Sequence, residues 1–517
     1  MVQAATIVMV LLVVSRVLGL LRDIVISHQF GTTRALDAYF AAFNIPDFIF
    51  NVVAGGALGS AFIPTFAAAL AQGDTRRAWR LASAVIHLAL ILLTTLAALL
   101  AIFAPQVVTL TVARGFAPAD QALTADLMRW MLITPIVFGV SGIVMGILNA
   151  HQHFVLPALA PVLYNAAIIA GALLLATTIG VYGLVAGVVA GAFLHLAGQL
   201  PWLISRWQIA DSGWQPFHQP SAISHLLSDD VREVGRLMLP RTLGIAAVQI
   251  NFLINTILAS SLAAGRIAAL GYAWRVMLLP VGVIGQSLAT VVFPTFSAQV
   301  ARQELDDFRS TFSAVFRMTL YLTIPAAVGL FVLGAPFIAL LFERGEFDAR
   351  STAETAYALQ FYALGLFAHS GLEIITRAFY ALHDTRTPVM IGIGAMALNI
   401  ALSIVLLAPL AHGGLALANS IATILEMLML LAILRRRLGD LDVRRIALSA
   451  ARVVAASLAM ALVIVPLVNV LATHGAVFVA IVGGVVGAVV YFVATIVLRS
   501  EEVVMVVERV KRRNLKS

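Results

Sequence analysis

The feature that most constrains this 517-residue chain is its succession of long apolar runs, separated by short clusters of charged residues. About 20 apolar residues span the hydrocarbon core of a bilayer as a helix, so each run is predicted to be a transmembrane helix. The runs are continuously apolar and lack the period-two alternation of membrane β-strands. The fourteen predicted spans lie near residues 4–27, 37–70, 79–104, 127–150, 156–177, 181–204, 234–262, 266–299, 311–340, 353–381, 388–409, 413–434, 447–471 and 475–498.

Composition excludes several classes of protein. Hydrophobic residues make up 61% of the chain and charged residues only 11%, against about 25% charged in soluble domains, which excludes a soluble enzyme and a disordered chain. With 0 Cys there is no disulfide framework, thiolate nucleophile or cysteine-bound metal. His151 and His153 lack a third ligand nearby, so we predict no metal and no cofactor. The basic residues are scattered between apolar runs, so we expect no nucleic-acid partner.

The distribution of basic residues predicts the orientation of the chain. With the N-terminus placed inside, nineteen basic residues fall in inner segments and five in outer loops. One missed span would invert every later loop, so this asymmetry supports the count and places both termini in the cytoplasm. The first run contains Arg16, Arg22 and Asp23 and lacks a small-residue cleavage site, so no cleavable signal peptide is predicted. The inner residues are Arg76, Arg77, Arg80, Arg206, Arg232, Arg236, Arg302, Arg309, Arg386, Arg435, Arg436, Arg437, Arg444, Arg445, Arg509, Lys511, Arg512, Arg513 and Lys516, and the outer residues are Arg34, Arg114, Arg266, Arg344 and Arg350.

Two short stretches recur in order along the chain. Ser15–Leu20 resembles Pro240–Ile245, and Phe62–Phe66 resembles Val292–Phe296, at offsets of 225 and 230 residues. The alternative is chance similarity between apolar segments. A duplication of spans 1–6 as spans 7–12 predicts two parallel six-helix repeats, a transporter architecture whose halves rock around a central site, with two C-terminal helices appended. The predicted divisions are an N-terminal lobe at 1–205, a cytoplasmic linker at 206–233, a C-terminal lobe at 234–437, the appended helices at 438–499 and a basic cytoplasmic tail at 500–517.

Charged residues inside the first span are candidate functional residues, because an ionisable group in a bilayer costs several kcal/mol unless it faces water or a partner. Arg16 and Asp23 share one helix face about 10 Å apart in rise, and Arg22 lies about 120° round from Arg16. We expect this charged side to line a polar cavity. The alternative is an ion-pair network that holds the halves together, and for Asp23 the orientation of Arg22 would be a sufficient role.

Three further charges are candidates for the same cavity. Asp37 opens the second span on the outer side, where a helix N-terminal carboxylate favoured by the helix dipole is the alternative. Arg275 lies well inside the eighth span and is predicted to face the cavity, with stacking on Trp274 as the alternative. Arg241 lies in the first turns of the seventh span, where snorkelling to the inner interface is the alternative.

The sign of the intramembrane charge indicates the class of substrate. Arginines exceed carboxylates, and arginine recognises phosphate and carboxylate groups through paired hydrogen bonds. The spans therefore favour an anionic substrate such as a phosphorylated lipid or sugar carrier, whereas an exporter of cations would show lone acidic residues. Glu373 and Arg377, four residues apart in the tenth span, are predicted to pair with each other.

Four motifs carry a family resemblance: Ser15–Asp23 (SRVLGLLRD), Asp37–Phe40 (DAYF), Ala61–Pro64 (AFIP) and Arg377–Pro388 (RAFYALHDTRTP). With them the chain resembles the MurJ/MviN family, the lipid II flippases of the multidrug/oligosaccharidyl-lipid/polysaccharide exporter superfamily. The resemblance covers essentially the whole chain, including the count of fourteen spans.

The resemblance implies a transporter and not an enzyme. Such a flippase moves the undecaprenyl-diphosphate-linked disaccharide-pentapeptide from the inner to the outer leaflet of the bacterial plasma membrane by alternating access. The family's cationic cavity, which takes the diphosphate and the peptide carboxylates, is matched here by Arg16, Arg22, Asp23, Asp37 and Arg275. The resemblance also implies a groove for the lipid tail at the last two spans, contact with membrane lipids, and functional coupling to peptidoglycan polymerases.

The chain departs from the family pattern in the second span. Many members carry an Arg-Arg pair and a Glu-Gly there, where this chain has Phe50, Asn51 and Gly55-Gly56. One expected cavity arginine is therefore absent, and we hypothesise that Arg241 supplies its charge. A flippase for another polyprenyl-diphosphate-linked glycan stays open as an alternative.

Three functions of other classes also stay open. A MATE-like cation or drug antiporter would need a titratable acid at the centre of the cavity, for which Asp23 and Asp37 are the early candidates, and both have an arginine nearby. A membrane glycosyltransferase would need an acidic pair or a metal cluster on a sizeable loop, and the sequence shows neither. A non-transporting scaffold would tolerate neutral substitution of its intramembrane arginines.

Overall fold

The computed structural model describes residues 2–52, 59–203 and 229–503. These residues form helices joined by short turns and contain no strand, and each of the fourteen predicted stretches is helical where it is described. The helices, labelled α1 to α20 in chain order, are Val2–Phe30, Arg34–Ile49, Gly59–Ala71, Thr75–Ile102, Ala104–Leu110, Pro118–Met131, Ile133–Ala150, Val155–Ala170, Ala176–Ile179, Val181–Ala197, Asp229–Ser260, Arg266–Pro280, Ser287–Ala301, Leu305–Val332, Gly334–Phe342, Ala349–Ala363, Leu366–Ala381, Arg386–Leu438, Val443–Leu471 and Ala476–Val497.

The helices have the length and apolar character of a protein that crosses a membrane many times. Within the described residues nine helical segments are long and apolar enough to span a bilayer, and α16 with α17, bent by 45°, make ten if the pair is counted as one span. In the second predicted span, α2 ends at Ile49 and α3 begins at Gly59, and residues 53–58 between them lie outside the described part of the structure. The eleventh and twelfth spans run together as α18, with a sharp break at Ala411. The described part of the chain is therefore all-helical, and the protein is a multi-pass membrane protein.

Two compact units divide the chain, Met1–Ile267 and Ala268–Ser517. In the first unit, α8 packs closely on α10. A Cβ atom built on Gly187 would lie 2.9 Å from the Ala167 carbonyl oxygen, and one on Gly191 would lie 2.8 Å from the Tyr164 ring. Small residues allow this approach, as in other membrane helix pairs. The seventh predicted span, α11, contacts α2, α3 and α4 and belongs to this unit; the lobe boundaries drawn from the sequence stay a prediction.

Three backbone positions with a positive φ recur farther along the chain at an offset of 230 or 231 residues. At each pair both residues have a positive φ, which is the left-handed region that favours glycine. The residues of the second and third pairs also lie in turns of the same kind, before the fifth and eleventh spans and before the sixth and twelfth. The pairs are Gly73 (φ 76°) with Gln303 (φ 61°), Gln152 (φ 61°) with His383 (φ 58°), and Gly180 (φ 59°) with Ala411 (φ 47°).

An ion-pair cluster around the buried Arg317 joins α14, α19 and the segment after α20 in the second unit. Arg317, whose side chain is 3% exposed, contacts Glu502 at 2.8 Å and Glu501 at 2.9 Å. Ser449 donates a hydrogen bond to Glu502 at 2.9 Å, and Arg445 binds Glu501 at 2.6 Å. Hydrogen bonds from Arg445 and then Arg317 hold the pKa of the Glu501 carboxyl below its usual value. The cluster explains why an arginine is tolerated deep in α14.

Candidate functional site

The Arg22 guanidinium of α1 is fixed by two partners. Its Nε and Nη2 donate to Asp23 Oδ1 at 3.2 and 3.0 Å, and its Nη1 donates to Asn165 Oδ1 at 3.1 Å. Asn165 is held in turn by a hydrogen bond from its Nδ2 to the Pro161 carbonyl at 3.0 Å. A guanidinium offers donors in a rigid planar fork, so this pair of acceptors sets both the position and the plane of Arg22. The structure thus brings Arg22 and Asp23 together, and it adds Asn165, which the sequence did not single out.

Arg22 lies on a cleft inside the first unit, which we name the N-terminal cleft. The cleft has a volume of about 440 Å³, within the roughly 300–1,000 Å³ of small-molecule sites. Helices α1, α2, α3, α7, α8 and α10 line it. The lining residues are Arg22, Phe43, Pro46, Asp47, Phe50, Ile63, Thr134, Phe138, Gly142, Met145, Gly146, Asn149, Pro161, Tyr164 and His195.

Two polar residues of the cleft were missed as candidates by the sequence reasoning. Asp47 accepts a hydrogen bond from Gln249 of α11 at 3.3 Å, and the available signal was a carboxylate next to a proline inside an apolar span. His195 is hydrogen-bonded to Ser141 at 2.7 Å. Both nevertheless line the cleft, because α2 and α10 direct these positions toward its interior.

Arg16 and Asp23 differ in their surroundings although they share a face of α1. Asp23 is 6% exposed, whereas the Arg16 side chain is exposed and makes no hydrogen bond or ion pair within the described residues. The reason is that neighbouring helices cover the C-terminal half of α1 and leave most of its N-terminal half uncovered. Arg16 is therefore available to bind an external anion, whereas Asp23 pairs with Arg22.

Asp37 is fully buried at the start of α2 and lies in a local network. Its Oδ2 accepts the Gly265 backbone N–H at 2.6 Å and lies 3.6 Å from Arg34 Nη1. Gly265 has a φ of 89°, and a Cβ there would lie 2.1 Å from the Thr32 carbonyl oxygen, so only glycine fits. This geometry favours a structural role for Asp37, the tethering of the 261–265 turn to α2.

The two remaining predicted arginines lie on α12 and α11. Arg275 of α12 is half-buried, with its guanidinium 5.9 Å from the Tyr272 ring centre. The neighbouring Trp274 packs its ring against Tyr362 and His369, at centroid distances of 5.3 and 5.4 Å. Arg241 lies on α11, and its side chain is outside the described part of the structure.

A second, mostly apolar cleft lies in the second unit between α14, α19 and α20, and we name it the groove. It has a volume of about 420 Å³. Tyr491 donates a hydrogen bond to the Tyr321 carbonyl at 2.6 Å and so ties α20 to α14 at one end of the groove. The lining residues are Tyr321, Leu322, Pro325, Ala326, Gly329, Leu333, Met460, Ile464, Gly483, Gly484, Gly487, Ala488, Tyr491 and Phe492. An apolar channel of this kind suits a hydrocarbon chain.

Comparison with known proteins identifies relatives along nearly the whole chain. Residues 26–486 match the family model described as lipid II flippase MurJ. The lipid II flippase MurJ of Burkholderia cenocepacia is 32% identical over 430 residues, which cover 82% of this chain and 81% of that protein. The probable lipid II flippase MurJ of Haemophilus influenzae is 30% identical over 437 residues, covering 80% and 82% of the two chains.

Solved structures agree with these relatives. A structure of lipid II flippase MurJ in an inward closed conformation has a TM-score of 0.80 and 26% identity, covering 95% of this chain and 98% of that one. An inward-facing multidrug transporter of the MATE family has a TM-score of 0.68 but only 17% identity, with coverages of 83% and 95%, and is similar in fold alone. The matched length and identity establish that the chain belongs to the MurJ family.

Proposed function

We propose that this chain is a lipid II flippase, which moves the undecaprenyl-diphosphate-linked peptidoglycan precursor from the inner to the outer leaflet of the bacterial inner membrane. The observation that carries the proposal is membership of the MurJ family over most of the chain. A flippase performs transport and no covalent chemistry. The two clefts support it, since one offers polar groups for a head group and the other an apolar surface for a lipid tail.

The arginines are proposed to bind the anionic groups of the substrate. Arg16 is exposed and has no partner within the described residues, and Arg22 is held in place by Asp23 and Asn165. We extend the same role to Arg275 and Arg241. Asp23 then acts as the residue that orients Arg22, and Asp37 tethers the 261–265 turn to the start of α2.

The groove is proposed to hold the polyprenyl tail. Gly483 and Gly487 face Leu333 and Ile464, which lie 2.8 and 2.6 Å from where their Cβ atoms would be. No atom lies within 4 Å of a Cβ built on Gly484. Glycines at these positions therefore let α20 approach its neighbours and leave an open apolar surface between them.

The proposed topology has fourteen crossings, both termini in the cytoplasm, and two six-helix repeats followed by the helix pair α19 and α20. The excess of basic residues in the inner segments supports the orientation, and the recurring positive-φ positions support the repeat. Transport by alternating access of two halves follows from such a repeat. Coupling to the peptidoglycan polymerases that use the outer-leaflet precursor belongs to the same proposal.

Complementation tests the proposal in cells. The native lipid II flippase of a test bacterium is depleted, this chain is expressed, and lipid II in the outer leaflet is measured. We expect the wild-type chain to restore outer-leaflet lipid II and Arg22→Ala to fail at equal membrane abundance. Arg129→Ala, at an exposed arginine outside both clefts, is the matched control and should behave as wild type. A well-inserted wild-type chain that restores no outer-leaflet lipid II would point to another lipid-linked glycan.

A further inference from the structure

We propose that Glu426, in the second half of α18, binds a proton and couples its inward movement to the outward movement of the lipid head group. The proton site stands on the contacts of Glu426 itself, and the coupling rests on the proposed function. Glu426 is half-buried and makes no hydrogen bond or ion pair within the described residues. Its Oε1 lies 3.3 Å from where a Cβ atom on Gly392, in the first half of α18, would be. The carboxyl group therefore lies between the two halves of the helix.

Glu426 lies at a depth where an ionised carboxylate is unfavourable unless it meets water or a partner. It precedes Arg435, the first basic residue at the inner end of α18, by nine residues, a rise of about 13 Å. Gly392 follows Arg386, at the other end of the helix, by six residues, a rise of about 9 Å. A glutamate side chain is too short to cover either distance, so Glu426 does not reach interfacial water by snorkelling.

No cation in the described part of the structure is placed to neutralise Glu426. Helices α16 and α17 pack on α18, and the charged side chains of these helices and of the turn before α18 contact one another. The contacts join Glu373 with Arg377 at 3.5 Å, Glu354 with His412 at 3.7 Å, and Asp384 with Arg437. The other arginines of these helices are exposed at helix ends, and they are Arg350, Arg386, Arg435 and Arg436. The charge of Glu426 is thus uncompensated unless its carboxyl group is protonated.

A metal cation fits this position less well than a proton. Hard metal cations are held by several oxygen ligands, and the described residues contain no cluster of three or more His, Cys, Asp or Glu side chains that could ligate one. A proton needs only one acceptor oxygen, which the Glu426 carboxylate supplies.

A chain of polar side chains, which we name the polar ladder, leads from Glu426 toward the outer half of the membrane. Its members are His369 of α17 and Asn419 and Thr423 of α18. Asn419, Thr423 and Glu426 lie within about 60° of one another around α18. His369 Nε2 lies 3.1 Å from Asn419 Oδ1 and 3.4 Å from Thr423 Oγ1. Imidazole and hydroxyl groups can both donate and accept a proton, so the ladder offers a route along which a proton reaches the carboxylate.

The charge of Glu426 links proton binding to the packing of α18. A proton from the outer side forms an O–H bond with the carboxylate, and the neutral acid can stay between the two halves of α18, as in this structure. Release of that proton to the cytoplasm restores the anion, which favours a conformation that admits water. One proton moves inward while one head group moves outward, and an inside-negative potential favours both movements.

The test measures lipid II in both leaflets of liposomes that contain the purified full-length chain, with the potential clamped at zero. The exchange of one proton for one lipid predicts that a difference of about one pH unit shifts the leaflet ratio about tenfold toward the acidic side, for either orientation of the protein. Glu426→Gln should abolish this shift. Glu304→Gln, at an exposed glutamate in the turn before α14, is the matched control and should keep it.

Infrared spectroscopy of the same protein tests proton binding without transport. The wild-type chain should show at neutral pH the carbonyl band of a protonated carboxyl group, which Glu426→Gln removes and Glu304→Gln retains. An unchanged band in Glu426→Gln, or wild-type movement of lipid II that shows no pH-driven shift, would overturn the inference. A shift driven by a sodium gradient in place of a pH gradient would overturn it as well. Failure of the proposed function looks different, because the wild-type chain would then keep the Glu426 band but move no lipid II.

Discussion

Arg22 shows what a single side chain must satisfy inside a membrane. The Arg22 guanidinium donates hydrogen bonds to Asp23 and Asn165, so any substrate anion has to share the guanidinium with these acceptors. Removing the arginine would also take away the cation that pairs with the buried Asp23, and breaking a buried ion pair in this way costs about 3–5 kcal/mol in other proteins. A substitution that keeps the charge is therefore more informative than one that removes it.

We predict that Arg22→Lys lowers the rate of lipid II movement about tenfold or more. A lysine ammonium keeps the positive charge, but it cannot offer the planar pair of donors that Asp23 and Asn165 accept. The rate is measured with the purified protein in liposomes, with Arg129→Lys as the matched control on an exposed arginine. Equal rates for Arg22→Lys and wild type would show that charge alone suffices.

A pH dependence of stability is predicted from Asp384, which lies in the turn between α17 and α18. Partial burial acts to raise the pKa of its carboxyl, but hydrogen bonds from Thr387 and the cation of Arg437 outweigh it and lower the pKa from 3.8 to about 2. The carboxylate is thus favoured in the folded chain. Its contribution is fully present above the unfolded pKa near 3.8 and is lost as pH falls through about 2.

We expect Asp384→Asn to destabilise the folded protein by about 2 kcal/mol near neutral pH. The difference in free energy of unfolding between variant and wild type should stay constant from about pH 8 to pH 5 and shrink below about pH 4. Thermal unfolding in detergent across this range measures it, with Asp440→Asn as a control in a neighbouring loop. A difference that changed between pH 8 and pH 6 would contradict the assignment to Asp384.

At the scale of the helix, the break in α18 depends on one strained residue. Ala411 has a φ of 47° and a ψ of −130°, a region in which a residue with a Cβ costs about 1–3 kcal/mol. Gly180 has nearly the same angles at the corresponding turn, and no atom lies within 4 Å of where its Cβ would be. The preference for glycine at position 180 therefore comes from its backbone angles and not from steric crowding.

We predict that Ala411→Gly stabilises the protein by about 1 kcal/mol, because relief of strain exceeds the extra entropy of glycine in the unfolded chain. Gly180→Ala should have the opposite sign and destabilise it by about 1–3 kcal/mol. Both values come from unfolding in detergent. A stabilising Gly180→Ala or a destabilising Ala411→Gly would mean that the two turns are not equivalent.

The groove allows a second test at the scale of the helix. A tryptophan at Gly484 would enter the groove without a clash at its Cβ, so the fold should persist while the tail is excluded. We expect Gly484→Trp to reduce lipid II movement about tenfold or more. Val485→Trp, on the adjacent surface that is 60% exposed, should have little effect. Comparable losses in both variants would argue against a tail in the groove.

The helices were predictable from the sequence because a segment that crosses a bilayer must be a long apolar run whose backbone hydrogen bonds form within the helix. The pairing of Glu373 with Arg377 was predictable from helical spacing and is confirmed by an ion pair of 3.5 Å. Asn165 and Asp47 gained their roles from contacts across 143 and 202 residues, which no local pattern reports.

At the scale of the whole molecule, the proposed transport moves negative charge across the membrane. The anionic head group leaves the cytoplasmic side, so an inside-negative potential favours its outward movement by about 2.3 kcal/mol per charge per 100 mV. The alternating access that we propose needs no covalent step. The same architecture in a MATE transporter shows that the fold alone does not decide the substrate.

The most direct test of this account is transbilayer movement of lipid II by the purified full-length chain in liposomes. Lipid II is placed in one leaflet, and its appearance in the other is followed with an impermeant probe, with and without an imposed potential. The account predicts movement well above that of protein-free liposomes, faster when the potential drives the anionic head group, and abolished in Arg22→Ala. Movement no faster than in protein-free liposomes, from a protein verified as folded, would contradict it.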